Sequence, residues 1–420
     1  MNILKDIVKS SKEDKDKIRK SVAEIIGRVQ SKGDDALIEI TEQFDGVKID
    51  EFKISEEETK KAYDLVDEKT VKTLHFAAER IESFAKRQLA CLKPLEFEDT
   101  SGVILGHKLM PMNSCACYIP GGRYPLPSTA IMSVLVAKTA GVKRVIACSP
   151  PSKQFLSIHP AILVALDIAG ADEIYCVGGA QAIAACVYGT ETIRPVDLIV
   201  GPGNKFVNEA KRQVMGDVGV DSLSGPSELL IIADESASSD YIVSDLLALC
   251  EHDPAARTAL VTTSKNLANV VLEKINKEAS KLVNSEVSLK SWEENGQIIF
   301  VNNLEEGIEF VNNYAPEHLE VQTSRNDEVV NKLLNFGSLF IDRYSPHTFG
   351  DYVSGPNHIL PTMRTARYSN GLWVGEFIRV ACYQKMNKKS AIALSAAACN
   401  MAEIEGLLAH KQSIEIRLNK

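Results

Sequence analysis

Four short apolar runs constrain the fold most. "ACYIPGG", "VIACSPP", "IYCVGGA" and "LIVGPGN" start near residues 116, 145, 174 and 198, and each closes on Gly or Pro. Helix-prone stretches separate them: "PSTAIMSVLVAKTAG", "HPAILVALDIAG" and "AQAIAACVYG". Strands alternating with helices at this interval imply a parallel sheet covered on both faces. In such sheets ligands collect beyond the carboxyl ends of the strands, where these Gly/Pro turns lie.

A second α/β series follows. "SELLIIAD" (227–234), "TALVTTS" (258–264), "QIIFVNN" (297–303), "HLEVQT" (318–323) and "GSLFID" (337–342) read as strands, with helices such as "SDYIVSDLLALCEHD" between them. The first hundred residues are polar and helix-prone, with Gly33 breaking one apolar-periodic stretch. His75 lies among apolar neighbours there and is expected to pack, whereas His159, just before Pro160, is expected to cap a helix or face solvent. The end, from Ser390, reads as a helix followed by a short extended tail. The expected fold class is α/β, with two Rossmann-like parallel-sheet domains and small terminal helical pieces.

Composition excludes some classes. The 420 residues carry a net charge of -9 with no long basic tract, which argues against a nucleic-acid binder. The N-terminus "MNILKDIVKSSKEDKDKIRK" lacks an apolar core of signal-peptide length, and no segment reaches the roughly 18 unbroken apolar residues of a membrane span. A cytoplasmic location is expected. Nine cysteines without a CxxC read as reduced core thiols.

Several stretches could carry chemistry. GxGxxG is absent: "VGPGNKF" supplies Gly201 and Gly203 but continues Asn204, Lys205, Phe206. Such turns can still bring backbone amides to an anion, although most are simple βα connections. "HTFGDYVSGPNHILPT" (347–362) holds His347, Asp351, Asn357 and His358 on a backbone stiffened by Gly and Pro, which suits a site. "YAPEHLEV" (314–321) sets Glu317 beside His318, either a solvated turn or a pair of proton-transfer groups. His252 in "CEHD" and His410 in "EGLLAHK" have the side-chain type that suits zinc, but no local spacing certifies a metal.

Seven stretches together resemble the histidinol dehydrogenase family. "YIPGGRYPLPS", "GGAQAIAACVYGTE", "VGPGNKFVNEAKR", "GPSELLIIAD", "YAPEHLE", "GDYVSGPNHILPT" and "EGLLAH" occur in the family's order. The resemblance implies NAD-dependent oxidation of L-histidinol to L-histidine through a bound aldehyde, in a homodimer with shared sites and one zinc ion per site. It implies that Tyr118, Gln181 and Asn204 contact NAD and that Ser227 contacts substrate. His252, Asp351 and His410 would bind zinc, with His410 and the substrate-contacting Glu405 coming from the second subunit. Those zinc ligands, with His318 and His358, would also line the substrate site. Glu317 would activate water and His318 would serve as general base, a role that suits an imidazole titrating near the working pH. The implied division is an N-terminal piece (1–19), a first domain from 20–117 with 228–372, a second from 118–227, and a swapped C-terminal piece (373–420).

Two positions depart from the family pattern. Leu249 stands where a zinc-binding glutamine is usual, one helical turn before His252, and leucine has no donor atom. Neighbouring Cys250 points about 100° away on a helix. His347 stands where a glutamate is usual. Two alternatives follow: a paralogue oxidising another small polar alcohol, such as a sulfonated polyol, for which "RYSNGLWVGEF" offers a faint likeness, or a catalytically weak binding protein.

Overall fold

A computed structural model of the chain describes residues 2–7, 15–121 and 124–418. Its strands in chain order are β1 (Asn2–Lys5), β2 (Leu95–Glu98), β3 (Ile104–Pro111), β4 (Ser114–Tyr118), β5 (Arg144–Ser149), β6 (Glu173–Cys176), β7 (Leu198–Val200), β8 (Gly219–Val220), β9 (Glu228–Ala233), β10 (Arg257–Thr262), β11 (Gly296–Phe300), β12 (His318–Gln322), β13 (Ser338–Ile341) and β14 (Ile378–Lys385). They form a five-stranded sheet, β6-β5-β4-β7-β8, a six-stranded sheet, β1-β11-β10-β9-β12-β13, and a three-stranded sheet, β14-β3-β2.

The five-stranded sheet is parallel throughout. Its four Gly/Pro-terminated runs became β4 to β7, and the helices Pro127–Thr139, Pro160–Ala169, Gly179–Tyr188 and Lys205–Val214 connect its strands. Each turn has a local cause. Gly201 has φ 114°, and a Cβ there would lie 2.2 Å from the carbonyl oxygen of Tyr118, so only glycine lets β7 turn this close to β4. Asn204 then caps the next helix, its side chain accepting from the amides of Phe206 (2.9 Å) and Val207 (3.1 Å). His159 likewise caps its helix through Ala161 N–H.

The six-stranded sheet is parallel except for β1, which runs antiparallel to β11. Leu229, Ile231 and Ala233 of β9 pack on one face under the helices Ser239–Cys250 and Lys265–Ala279, while Leu230 and Ile232 pack on the other with Ile308 and Val311. Strand β12 departs from this all-apolar habit. Leu319 and Val321 join the second face. His318, Glu320 and Gln322 point to the first, in register with Leu229, Ile231 and Ala233, and all three are buried.

The packing corrects four expectations. Helices between residues 15 and 91 lie against the helices of the five-stranded sheet, not the six-stranded one, and their apolar residues share that core. The N-terminal piece, expected to be helical, begins with edge strand β1, and residues 8–14 lie outside the described residues. The expected extended tail is a second helix, Leu408–Leu418, turned back at Gly406 (φ 74°) onto the helix Lys388–Ile404. Its "SIEIRL" alternation resembles a strand, but these residues are helical and lie on the preceding helix. His75 is exposed on a helix whose buried stripe runs through Leu74, Ala78, Ile81 and Ala85.

All nine cysteines are free. Six are buried, as core thiols should be, whereas Cys91 and Cys382 are exposed. No helix among the described residues is long and apolar enough to cross a membrane.

Candidate active site

The dipeptide Glu317-His318 enters β12 from a sharp turn in which Ala315 takes φ 52°. Both side chains are held by one neighbouring residue. The amide N–H of Glu228 donates to Glu317 Oε2 at 2.7 Å, and His318 Nδ1–H donates to the carbonyl of Glu228 at 3.0 Å. Because Nδ1 is the donor, the lone pair of the neutral ring resides on Nε2. That atom is buried without a hydrogen-bond partner and lies 3.3 Å from Asp351 Oδ1.

Electrostatics follow from this crowding. Burial alone would lower the His318 pKa, but the carboxylates of Glu317 and Asp351 outweigh it and raise the value well above the imidazole norm. Burial alone would raise the Asp351 pKa, but His318 and the other imidazoles hold it below the usual carboxylate range. Glu228 is buried beside Glu317, and lost hydration followed by that like charge pushes its carboxyl up to about 7. His252 is lowered, chiefly by desolvation and further by His347 and His318, against the pull of Asp351.

The structure thus brings Glu317, His318, Asp351 and His252 together. His347 joins them, its ring centroid 5.4 Å from that of His318. His358 is near but fully engaged: Nδ1–H donates to the carbonyl of Asp351 at 2.9 Å, and Nε2 accepts from Thr129 at 3.0 Å. It therefore braces the Asp351 loop against the helix that follows β4. Ser227, half-buried, stands immediately before β9, its carbonyl accepting from Arg257 N–H.

These residues overturn one positional expectation. Glu317, His318 and Ser227 lie at the amino ends of β12 and β9, and His252 just before β10. Only the nucleotide candidates obey the carboxyl-end rule. Tyr118 ends β4, Gln181 lies in the first turn after β6, and Asn204 follows β7. Tyr118 Oη accepts from the Gly179 amide at 3.1 Å, which ties two of those turns together. Gly122 and Arg123 of the neighbouring motif lie outside the described residues. Glu405 and His410 are exposed on the C-terminal hairpin, whose two helices pack on each other.

The donors near Asp351 suit zinc in type: imidazoles, a carboxylate and two buried ring nitrogens without partners. Among the described residues, no group of three or more His, Cys, Asp or Glu side chains of this one chain is arranged to hold a metal ion. Sequence reading missed Glu228, Glu320, Gln322 and Asp245. The signal was the strict alternation of "HLEVQ", whose polar half is as buried as its apolar half.

Comparison with known proteins identifies the family. A family model described as histidinol dehydrogenase matches residues 8–418. A histidinol dehydrogenase from Methanocaldococcus jannaschii is 44% identical over 98% of this chain and 95% of its own length. A protein named histidinol dehydrogenase homolog from Shouchella clausii is 42% identical over 98% of this chain and 97% of its own. The crystal structure of histidinol dehydrogenase from Elizabethkingia anophelis superposes with a TM-score of 0.93 at 33% identity, covering 99% of this chain and 94% of that one. With the motifs in order, the fold superposed and the match running nearly end to end, the chain belongs to the histidinol dehydrogenase family.

Proposed function

We propose that the protein oxidises L-histidinol to L-histidine through the aldehyde, with two successive hydride transfers to NAD. The observation that carries this reading is the anchoring of Glu317 and His318 on one backbone unit, Glu228, which aims His318 Nε2 into the buried cluster beside Asp351. NAD, when bound, would supply the hydride acceptor; His252, Asp351 and a His410 from a second copy would hold a zinc ion, which would supply a Lewis acid to orient the substrate.

The chain's own groups then manage protons and water. His318 Nε2 removes the alcohol proton as hydride leaves the carbinol carbon, which yields the aldehyde. Glu317 takes a proton from water as its oxygen attacks that aldehyde, and the His318 imidazolium gives its proton to the former carbonyl oxygen, forming the hydrate. His318, returned to its neutral form, removes a hydrate proton as the second hydride leaves, which yields the carboxylic acid. A carboxylate and an imidazole side by side let one pocket perform both tasks. Tyr118, Gln181 and Asn204 hold the nucleotide at the carboxyl ends of β4, β6 and β7. Ser227 contacts substrate, and His358 keeps Asp351 in place. Dimerisation is supported by the C-terminal hairpin, where Met401 (55% exposed), Ile404 (71%) and Leu408 (67%) surround Glu405 and His410 with uncovered apolar surface.

The test is NADH production by the purified protein from L-histidinol, with about two NADH per histidine as expected for two hydride transfers. Glu317→Gln should spare the alcohol-to-aldehyde half-reaction and slow the second by roughly 10². No NADH from histidinol would end this reading. Equal loss in both halves would end the division of labour between Glu317 and His318.

A further inference from the structure

His347 is the part of the cluster that the proposed chemistry does not use. It is fully buried at the start of the helix His347–Tyr352. Its backbone N–H and its Nδ1 both meet Glu320 Oε1, at 2.9 and 3.0 Å. A carboxylate oxygen accepts only, so the ring proton is on Nδ1 and Nε2 carries the lone pair. Glu320 is fixed in turn, its other oxygen accepting from Gln322 at 3.1 Å. Nothing within the described residues hydrogen-bonds to Nε2.

We infer that His347 is a further ligand of the divalent cation at this site, coordinating through Nε2. This inference rests on the zinc reading given above. A buried lone pair needs an electron-pair acceptor, and the surroundings select a cation over a hydrogen-bond donor. His347 and Asp351 lie four residues apart on one helix, and therefore on one face. Nε2 stands 4.0 Å from Asp351 Oδ2. One cation touching each at about 2.1 Å can bridge groups up to about 4.2 Å apart, and a tetrahedral angle places them about 3.4 Å apart, a shift of roughly 0.6 Å. A carboxylate holding the other ring nitrogen is the usual support of a ligating imidazole.

The residue one turn before His252, on the neighbouring helix, cannot supply this ligand. Leu249, one turn before His252, has no donor and packs in the apolar cluster with Leu246 and Leu247. In this chain, the one-turn pair of donors has moved from that helix to His347 and Asp351.

Zinc affinity of the full-length protein, measured by competition with a chromophoric chelator, tests the inference, together with the visible absorption of the cobalt(II)-loaded form. His347→Leu should weaken zinc binding by about 100-fold or more and alter the cobalt bands. Glu320→Gln, which keeps the imidazole but loosens its support, should weaken binding about 10- to 100-fold. Circular dichroism checks folding, and if His347→Leu does not fold, Glu320→Gln decides. Unchanged affinity and an unchanged cobalt spectrum in a folded variant would overturn the ligand while the zinc reading stands. Failure of the parent protein to bind zinc or cobalt would overturn both.

Discussion

The two parallel sheets share an architecture and differ in how their charged side chains find partners. In the five-stranded sheet, charges close on one another. Glu173 receives Arg144 at 2.8 Å, Arg194 at 3.1 Å and the hydroxyl of Tyr175 at 2.5 Å. Buried Lys211 pairs with Asp221 and donates to the carbonyl of Gly201 at 2.8 Å, while Asp221 accepts from the Gly201 amide at 2.7 Å. In the six-stranded sheet, the polar face of β12 stays open: His318 Nε2, His347 Nε2 and Gln322 Oε1 have no partners. Asp245, facing Glu320 across the Gln322 amide, is pushed up to about 8 by burial and then by that like charge. A closed polar network stiffens a scaffold, whereas an open one marks where something from outside must complete it.

The sharpest break between the two is His318→Ala. Removing the base should lower turnover by about 10³, within the usual span for general-base catalysis, while thermal unfolding shifts little and NAD binding at the five-stranded sheet persists. Steady-state rates beside nucleotide titration would show it. A comparable loss of nucleotide affinity would mean that the sheets are not functionally separate.

Lys211→Met should behave in the opposite sense. It leaves Asp221 buried and unpaired, at a cost of about 3 kcal/mol in stability. The melting temperature should fall by several degrees while turnover at saturating NAD changes less. An unchanged melting temperature would show that the pair contributes nothing net.

The smallest effect should appear in the pH dependence of stability, with opposite signs in the two sheets. Arg144 and its neighbours hold Glu173 down at about 2, so its stabilisation is present above the ordinary glutamate range and is lost as pH falls towards 2. Asp245 is raised to about 8, so the folded state loses stability as pH rises from the ordinary aspartate range through 8. Glu173→Gln should flatten the acid limb of a melting-temperature profile, and Asp245→Asn should flatten the neutral-to-alkaline limb. If both substitutions altered the same limb, the contrast would be lost.

What was legible in the sequence follows from the same division. β4 to β7 announced themselves because each buried run must turn immediately, and Gly or Pro makes the turn. Glu317 and His318 stood out because two titratable neighbours beside a proline need a reason. Glu320, Gln322 and Asp245 did not, because alternation marks a polar face without saying whether water or another helix covers it. Here the helices Ser239–Cys250 and His347–Tyr352 cover it, and only tertiary packing reveals that. β2, β3 and β14 were missed for a related reason. They are exposed or half-buried almost throughout, so burial writes little periodicity into them.

The two-faced character of β12 also has a consequence for folding fidelity. A one-residue slip in strand pairing moves every side chain to the opposite face of the sheet, which matters most where the two faces differ in chemistry. In β12 such a slip would drive His318, Glu320 and Gln322 into the cluster built on Leu230 and Ile232, and would set Leu319 and Val321 against Asp245. Three polar side chains would lose their partners at once. The residues proposed to perform the chemistry thereby act as a proofreading key for their own strand, since a one-residue slip would set their polar side chains against an all-apolar cluster.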